Sequence, residues 1–336
     1  MKKCVFTLFL GLFSTILQAQ DSQTEYNFLR LPISAHAAAL GGDNITIIED
    51  DPSLMFSNPA LAASVSDMTV GLSYMNYMKG ANYMGASFTK AMSDKATLAG
   101  GIQYMNYGKM KEVDENNVQL GEFNASEIAV EAIFSYELAK NLVGGITGKF
   151  ITSYIGSYNS IAVGVDLGLN WYDPEHEWSV SAVAKNLGGQ VKAYDDNFGK
   201  MPFDLQLGVS KTFAALPVRV SATLVDLTHF NYRFINHLNL GAEVLLSESL
   251  WIGGGYNFRR ANDMKIGVGD DESSHGGCFG ELAERYGVKG VGQNSHLFVS
   301  DKRVEGFPGR SFEIQSIMSM NRKEVKTKLG KIGRAS

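Results

Sequence analysis

Residues 161 to 171 set the pattern for most of this chain. Ile161, Val163, Val165, Leu167, Leu169 and Trp171 alternate with Ala162, Gly164, Asp166, Gly168 and Asn170. A helix would scatter those apolar side chains around its circumference, whereas an extended strand places them all on one face. The same period of two returns in Ile128, Val130, Ala132, Phe134 and Tyr136, set against Glu127, Glu131, Ser135 and Glu137. It returns again in Leu238, Leu240, Ala242, Val244 and Leu246, set against Asn239, Gly241 and Glu243. Such segments are longer than the strands of soluble sheets and long enough to cross lipid. Carboxylates on the second face are costly in a dry core and cheap in a wet lumen. The pattern predicts an all-β transmembrane barrel, apolar outside and polar inside.

Eleven strands can be read this way, near 68–78, 82–91, 96–107, 125–138, 142–155, 160–172, 178–188, 202–213, 218–226, 237–246 and 250–258. Links after even-numbered strands are short, such as Met92 to Lys95 and Ala139 to Asn141. Those after odd-numbered strands include three long ones, over 108–124, 189–201 and 227–236. Barrels of the bacterial outer membrane alternate short periplasmic turns with longer outer loops, so the link lengths support the strand reading. Two odd links, near Lys79 to Ala81 and Gly156 to Asn159, are short. A soluble periplasmic β-sandwich is the competing architecture. Ahead of the strands, residues 20–66 contain Ala35 to Ala39, Gly41-Gly42, the acidic Glu49-Asp50-Asp51-Pro52 and a stretch of helical composition from Ser53 to Ala63. This segment is too polar to span lipid and too small to be a domain, and it reads as a plug in or under the barrel mouth.

The first residues add a compartment. Lys2 and Lys3 precede an apolar run from Val5 to Leu17 that ends at Leu17-Gln18-Ala19, the layout of a secretory signal peptide over residues 1–19. The expected location is the outer membrane, with its lipids as partner. Of 336 residues, 45% are hydrophobic and 19% charged, which argues against disorder. The formal net charge of -5 gives no basic footprint for nucleic acid. Removal of the leader takes Cys4 and leaves Cys278 alone, so neither a disulfide framework nor a cysteine metal site fits within one mature chain.

No enzyme motif emerges, and the expectation is a protein that is not an enzyme, with no catalytic residues, no cofactor and no metal. His229 and His237 are too far apart for one helical face, and neither His-Glu-x-x-His nor Gly-x-Ser-x-Gly occurs. Gly148-Lys149 has the end of a phosphate loop, but Phe150 stands where Ser or Thr belongs and the segment reads as a strand. The acidic groups Asp50-Asp51, Asp195-Asp196 and Asp270-Asp271-Glu272 lack calcium-loop spacing and read as solvated loops. Aromatic pairs Tyr74 and Tyr77, Tyr104 and Tyr107, and Trp171 and Tyr172 sit near strand ends and read as interfacial girdles.

The order of Ala-rich turn, Gly-Gly, acidic stretch and Asn-Pro-Ala ahead of a β-rich chain resembles the long-chain fatty-acid transporter (FadL-like) barrels and their Bacteroidetes relatives. More narrowly, Tyr26-Asn27-Phe28-Leu29-Arg30-Leu31-Pro32, Ser34-Ala35-His36, Ala39-Leu40-Gly41-Gly42-Asp43-Asn44 and Asn58-Pro59-Ala60-Leu61 are similar to the PorQ-like (PorV/PorQ) family of the type IX secretion system. The resemblance covers roughly residues 24 to 277. It implies a 14-stranded outer-membrane barrel without catalytic activity. It also implies that the barrel holds the surface protein PorZ in an attachment complex with the sortase PorU and the shuttle PorV. Two functions follow: a scaffold gripping a surface partner by its outer loops, or a transporter of hydrophobic molecules. The polar luminal faces with Glu127, Glu131, Asp166 and Glu243 favour the scaffold.

The chain departs from that family after Gly277. Residues 278–336 carry 11 Lys and Arg against 6 Asp and Glu, and sustained alternation stops. Eleven strands is an odd count where a closed bacterial barrel needs an even one. The expectation is a reading-frame shift near codons 277 to 279, so that another frame encodes the missing strands and the tail as written cannot close the wall. A genuine basic periplasmic extension is the alternative. Ser295 to Val299 and Phe312 to Met318 are the tail segments able to form short strands.

Overall fold

The computed structural model describes residues 24–78, 80–113, 119–213, 216–229, 232–247 and 250–259, together with the strand segments 265–268, 271–274, 277–284, 287–292, 296–300 and 312–319. The signal-peptide segment lies outside them. The first part of the wall is β1 (Val70–Met78), β2 (Ala81–Ser93), β3 (Ala96–Val113), β4 (Gln119–Ala139), β5 (Leu142–Ile155) and β6 (Tyr158–Asp173). It continues through β7 (Trp178–Lys192), β8 (Asp204–Phe213), β9 (Val218–Leu224), β10 (Leu238–Ser247) and β11 (Leu250–Asn257). Each strand pairs antiparallel with the next, and the sheet closes on itself, which excludes a two-layer sandwich. All eleven strands form where the alternation places them. The loop expected over 108–124 is mostly strand, because the ladder runs on from Lys109↔Asn124 to Val113↔Gln119, with Lys109 facing Glu122 at 3.3 Å.

The outward positions bear Leu72, Phe88, Ile102, Val130, Phe134, Phe150, Val163, Leu167, Leu207 and Val244, all exposed. A soluble monomer does not expose an apolar belt of this extent, and the fold is that of a transmembrane β-barrel. The aromatic pairs need correction. Tyr74, Tyr104 and Trp171 share the outward parity of Leu72, Ile102 and Leu169, but their companions turn inward: Tyr77 and Tyr107 pack on the luminal cluster and Tyr172 lines a cavity against the plug. Spacings of three and one reverse the face in a strand, so one member of each pair cannot serve as girdle.

Beyond β11, β12 (Lys265–Val268) and β13 (Asp271–Ser274) form a separate two-stranded sheet. The wall is completed by β14 (Gly277–Glu284), β15 (Gly287–Gly292), β16 (His296–Ser300) and β17 (Phe312–Ser319). The expectation that the tail cannot close the barrel is corrected: β17 lies beside β1, with Val70↔Phe312 through Met75↔Ile317 in register. The pairing is parallel. Directions alternate around the wall, and an odd number of strands leaves the first and last pointing the same way. The wall therefore contains fifteen strands among the described residues, where the family resemblance implies fourteen.

The N-terminal segment fills the lumen. Thr24 bridges Lys200 at the loop end, and Ser66 reaches the turn end, where its carbonyl accepts from the Thr69 and Thr89 hydroxyls. Between them lie a 3-10 turn over Asn27–Arg30, a short helix, α1 (Ala35–Ala39), and two proline-led 3-10 turns over Pro52–Phe56 and Pro59–Ser64. Sequence explains the last three starts. Ser34, Asp51 and Asn58 accept from the backbone N–H of Ala37, Ser53 and Ala60, and proline occupies the first position of the two later 3-10 turns, where no N–H is missed. Asp50 and Asp51 are thus structural, Asp50 accepting from the N–H and hydroxyl of Ser66 at 2.7 Å each. Asp195 likewise accepts from the N–H of Asn197, while Asp270 lies outside the described residues.

Candidate functional site

The plug is seated on glycines of the wall. A Cβ on Gly145 would fall on the backbone of Pro59 and Ala60, and one on Gly255 on the backbone of Leu40 and Gly41. Gly71, Gly85, Gly101, Gly168, Gly208 and Gly241 lie equally close beneath Pro52, Ile33, Phe56, Asn58, Ile45 and Leu40. Missing side chains around the inner wall are therefore the shape complement of residues 33–60. The glycines of the polar face, read from sequence only as barrel-like, have this packing role.

A filled lumen also changes the meaning of its carboxylates. The sequence suggests that solvent makes them inexpensive, but Glu131 and Asp166 are 3% and 2% exposed and are paired instead. Lys149 lies 2.7 Å from Asp166 and 3.7 Å from Glu131, and donates to Asn186 at 2.9 Å. Gln103 donates to Glu131, and Tyr107 to Glu127, both at 2.5 Å. With water displaced by the plug, partners must supply what solvation would have given.

The plug is tied to the wall by an ion-pair ring that the sequence did not reveal. His36 of α1 contacts Glu49 through Nδ1 at 3.0 Å and Glu243 of β10 through Nε2 at 2.7 Å. Arg219 of β9 donates to Glu243 at 2.5 Å and closes the ring on Glu49. Trp251 stacks on the imidazole at 4.1 Å between centroids. Burial alone would lower the pKa of His36, but the Glu49 and Glu243 carboxylates outweigh it and push it up to about 10. Burial opposes ionisation of Glu49, yet His36 and Arg219 hold its carboxyl well below the usual range. Two cations thus balance two anions. His36, Glu49 and Glu243 present three ligand atoms within 4.8 Å of one another, enough for a metal ion by distance. Arg219 already engages both carboxylates, so the ring is a latch.

Toward the loop end, plug and wall border an open cavity of about 280 Å³ whose charged lining is Arg30, Lys185, Arg259, Asp43, Asp204 and Asp226. Two residues around it hold left-handed backbone without being glycine: Asn186 at φ 59° and Asp226 at φ 52°. Asn186 follows Lys185 at a break in register between β6 and β7, and the bulge turns both neighbours inward. Asn186 is fixed by donating its N–H to Asp166 at 2.7 Å and its amide to the Pro202 carbonyl at 3.1 Å. Asp226 collects Arg30 at 2.5 Å and also Arg259. His229 lies 3.7 Å from Asp226, and His237 contacts the Val225 carbonyl at 2.8 Å. The two histidines thus flank this mouth in structural roles, on either side of Tyr232. At the turn end a second cavity, about 210 Å³, is lined largely by apolar plug and wall residues including Ile48, Ala60, Leu61, Leu142 and Val143.

Known proteins add the following. A ferredoxin-like domain family matches residues 276–308. No curated protein matches the chain. Among solved structures, the toluene transporter TodX of Pseudomonas putida is similar with a TM-score of 0.48 and 12% identity, over 78% of this chain and 90% of that one. A FadL homologue of Pseudomonas aeruginosa is similar with a TM-score of 0.45 and 10% identity, over 82% and 87%.

Proposed function

We propose that this protein is an outer-membrane component of the type IX protein secretion system that anchors a surface partner, PorZ-like, in the cargo attachment complex with PorU and PorV. The observation that carries the reading is the fixed plug. Residues that resemble the PorQ-like family build it: Phe28 and Leu29 in its apolar cluster, His36 in the latch, Gly41 against the wall, and Asn58-Pro59 over Gly145 and Gly168. A lumen filled by a latched segment suits a scaffold better than a conduit. The rim offers a partner surface, since Phe198 in the β7–β8 connection and Phe234 before β10 are 65% and 71% exposed. Large aromatic side chains of this kind serve as anchors in protein interfaces.

Transport of hydrophobic molecules is the second reading, and the apolar cavity at the turn end is what favours it. Deleting the gene separates the two. A scaffold's loss releases a surface partner and impairs attachment of secreted cargo, with fatty-acid uptake unchanged. Loss of uptake with normal cargo attachment would support the transporter. Fractionation tests the location: the protein is expected with outer membranes, running faster unheated than boiled, and recovery from the soluble periplasm would exclude the barrel reading.

A further inference from the structure

We propose that the loop-end cavity binds a small zwitterion, of the size of an amino acid or a dipeptide. The argument begins with Lys185. Its side chain lines the cavity, the residue is only 7% exposed, and its ammonium has no hydrogen bond or ion pair among the described residues. Glu131 and Asp204 act on it only from beyond ion-pair distance, and a bound carboxylate would supply a direct contact. The bulge that aims Lys185 inward depends on a left-handed asparagine, the kind of strained backbone that persists where surroundings enforce it and that gathers at binding sites.

One acceptor waits in the same cavity. Asp43 of the plug, half-buried on the lining, has neither a hydrogen bond nor an ion pair among the described residues. The other two cations do not fill this vacancy, because Arg30 and Arg259 converge on Asp226. Three cations and three carboxylates line the space, so a neutral guest bearing both signs keeps it balanced, whereas a lone anion or cation does not. The guest's carboxylate faces Lys185 and its ammonium faces Asp43. The volume is at the small end for ligand sites, which limits the guest to a few residues' worth of atoms.

The test is calorimetric titration of the full chain, purified in detergent in its heat-modifiable form, with L-alanine and L-alanyl-L-alanine. Acetate and methylamine serve as single-charge probes, and Lys185→Met and Asp43→Asn as variants. Saturable binding of at least one zwitterion is expected, weakened by about tenfold or more in each variant, with neither single-charge probe binding. The relative affinity of the two zwitterions sets the size of the guest. Absence of saturable heat with either at millimolar concentration would mean that the cavity holds water only, and would overturn the proposal. So would acetate binding as tightly as alanine, or unchanged alanine binding in a folded Lys185→Met protein. Should Lys185→Met lose heat-modifiability, Asp43→Asn decides alone: undiminished alanine binding there also overturns it.

Discussion

The wall consists of two arcs that obey different rules. From β1 to β11 each strand presents one apolar and one polar face, and β2 to β8 span 10 to 21 residues. From β14 to β17 the strands have 8, 6, 5 and 8 residues, and the sequence shows no sustained alternation. A strand needs about nine residues to cross the hydrocarbon. The described strands of the second arc all fall short of a full crossing, as only β9 and β11, with 7 and 8 residues, do in the first, and the second arc ends in the barrel's parallel seam, a pairing slightly weaker per residue than antiparallel. The match to a ferredoxin-like domain begins at residue 276, within a few residues of the point where charge and periodicity change. The comparison teaches that closing a sheet is a lesser demand than matching it to lipid: backbone pairing alone achieves the first, and only two-faced sequence achieves the second.

The largest effects should come from breaking the first arc. Val130→Pro removes a ladder bond in β4 between two long neighbours and should abolish the heat-modifiable form, because each orphaned backbone group in lipid costs several kcal/mol. Ile317→Pro in β17 should lower the melting temperature while leaving that form detectable; equal loss in both would make the arcs equivalent. Next in size is the plug seat. Gly145→Leu should destabilise by about 3 kcal/mol through overpacking against Pro59 and Ala60, whereas Gly148→Ala, with nothing within 4 Å of the added carbon, should stay within about 0.5 kcal/mol. Denaturant midpoints for the pair measure the difference.

The latch comes third. Glu243→Gln leaves His36 and Arg219 sharing Glu49 alone and should cost about 3 kcal/mol. Its pH dependence has a definite sign. His36 has a folded pKa above its unfolded one, so its contribution is complete below about pH 6.5 and is lost as pH rises through about 10. Glu49, held below its usual value, contributes above its unfolded pKa and loses that only in strong acid. Thermal midpoints should therefore fall between about pH 6.5 and pH 10, the span of the His36 titration, and that fall should be smaller in His36→Gln. The smallest effect on the fold belongs to Phe234→Ala, within about 0.5 kcal/mol. If the rim docks a partner, the same change should weaken capture of that partner by about tenfold or more.

Sequence made the first arc legible because period two needs no knowledge of neighbours, and eleven strands could be placed from it. Features depending on a partner far along the chain were hidden. His36 and Glu243 are 207 residues apart, and no local pattern joins them. The luminal carboxylates were visible, but whether water or a plug surrounded them was not. The aromatic pairs obey the same period: Tyr104 and Tyr107 are three residues apart, so a strand puts them on opposite faces. One signal at the loop-end cavity was available. Lys185-Asn186 puts two polar residues side by side in an otherwise alternating strand, and asparagine tolerates the left-handed turn that a bulge requires.

The close fit of plug to glycine seats has a consequence for biogenesis. Residues 24–66 precede β1, run the length of the lumen and touch the wall at distances that leave no room for a thread to slide through afterwards. A finished cylinder could not admit them. The N-terminal segment must be in place while the hairpins are still an open sheet, and the sheet must curl around it. The plug thus acts as a former on which the cylinder is wound, and its glycine imprints record the order in which the pieces came together.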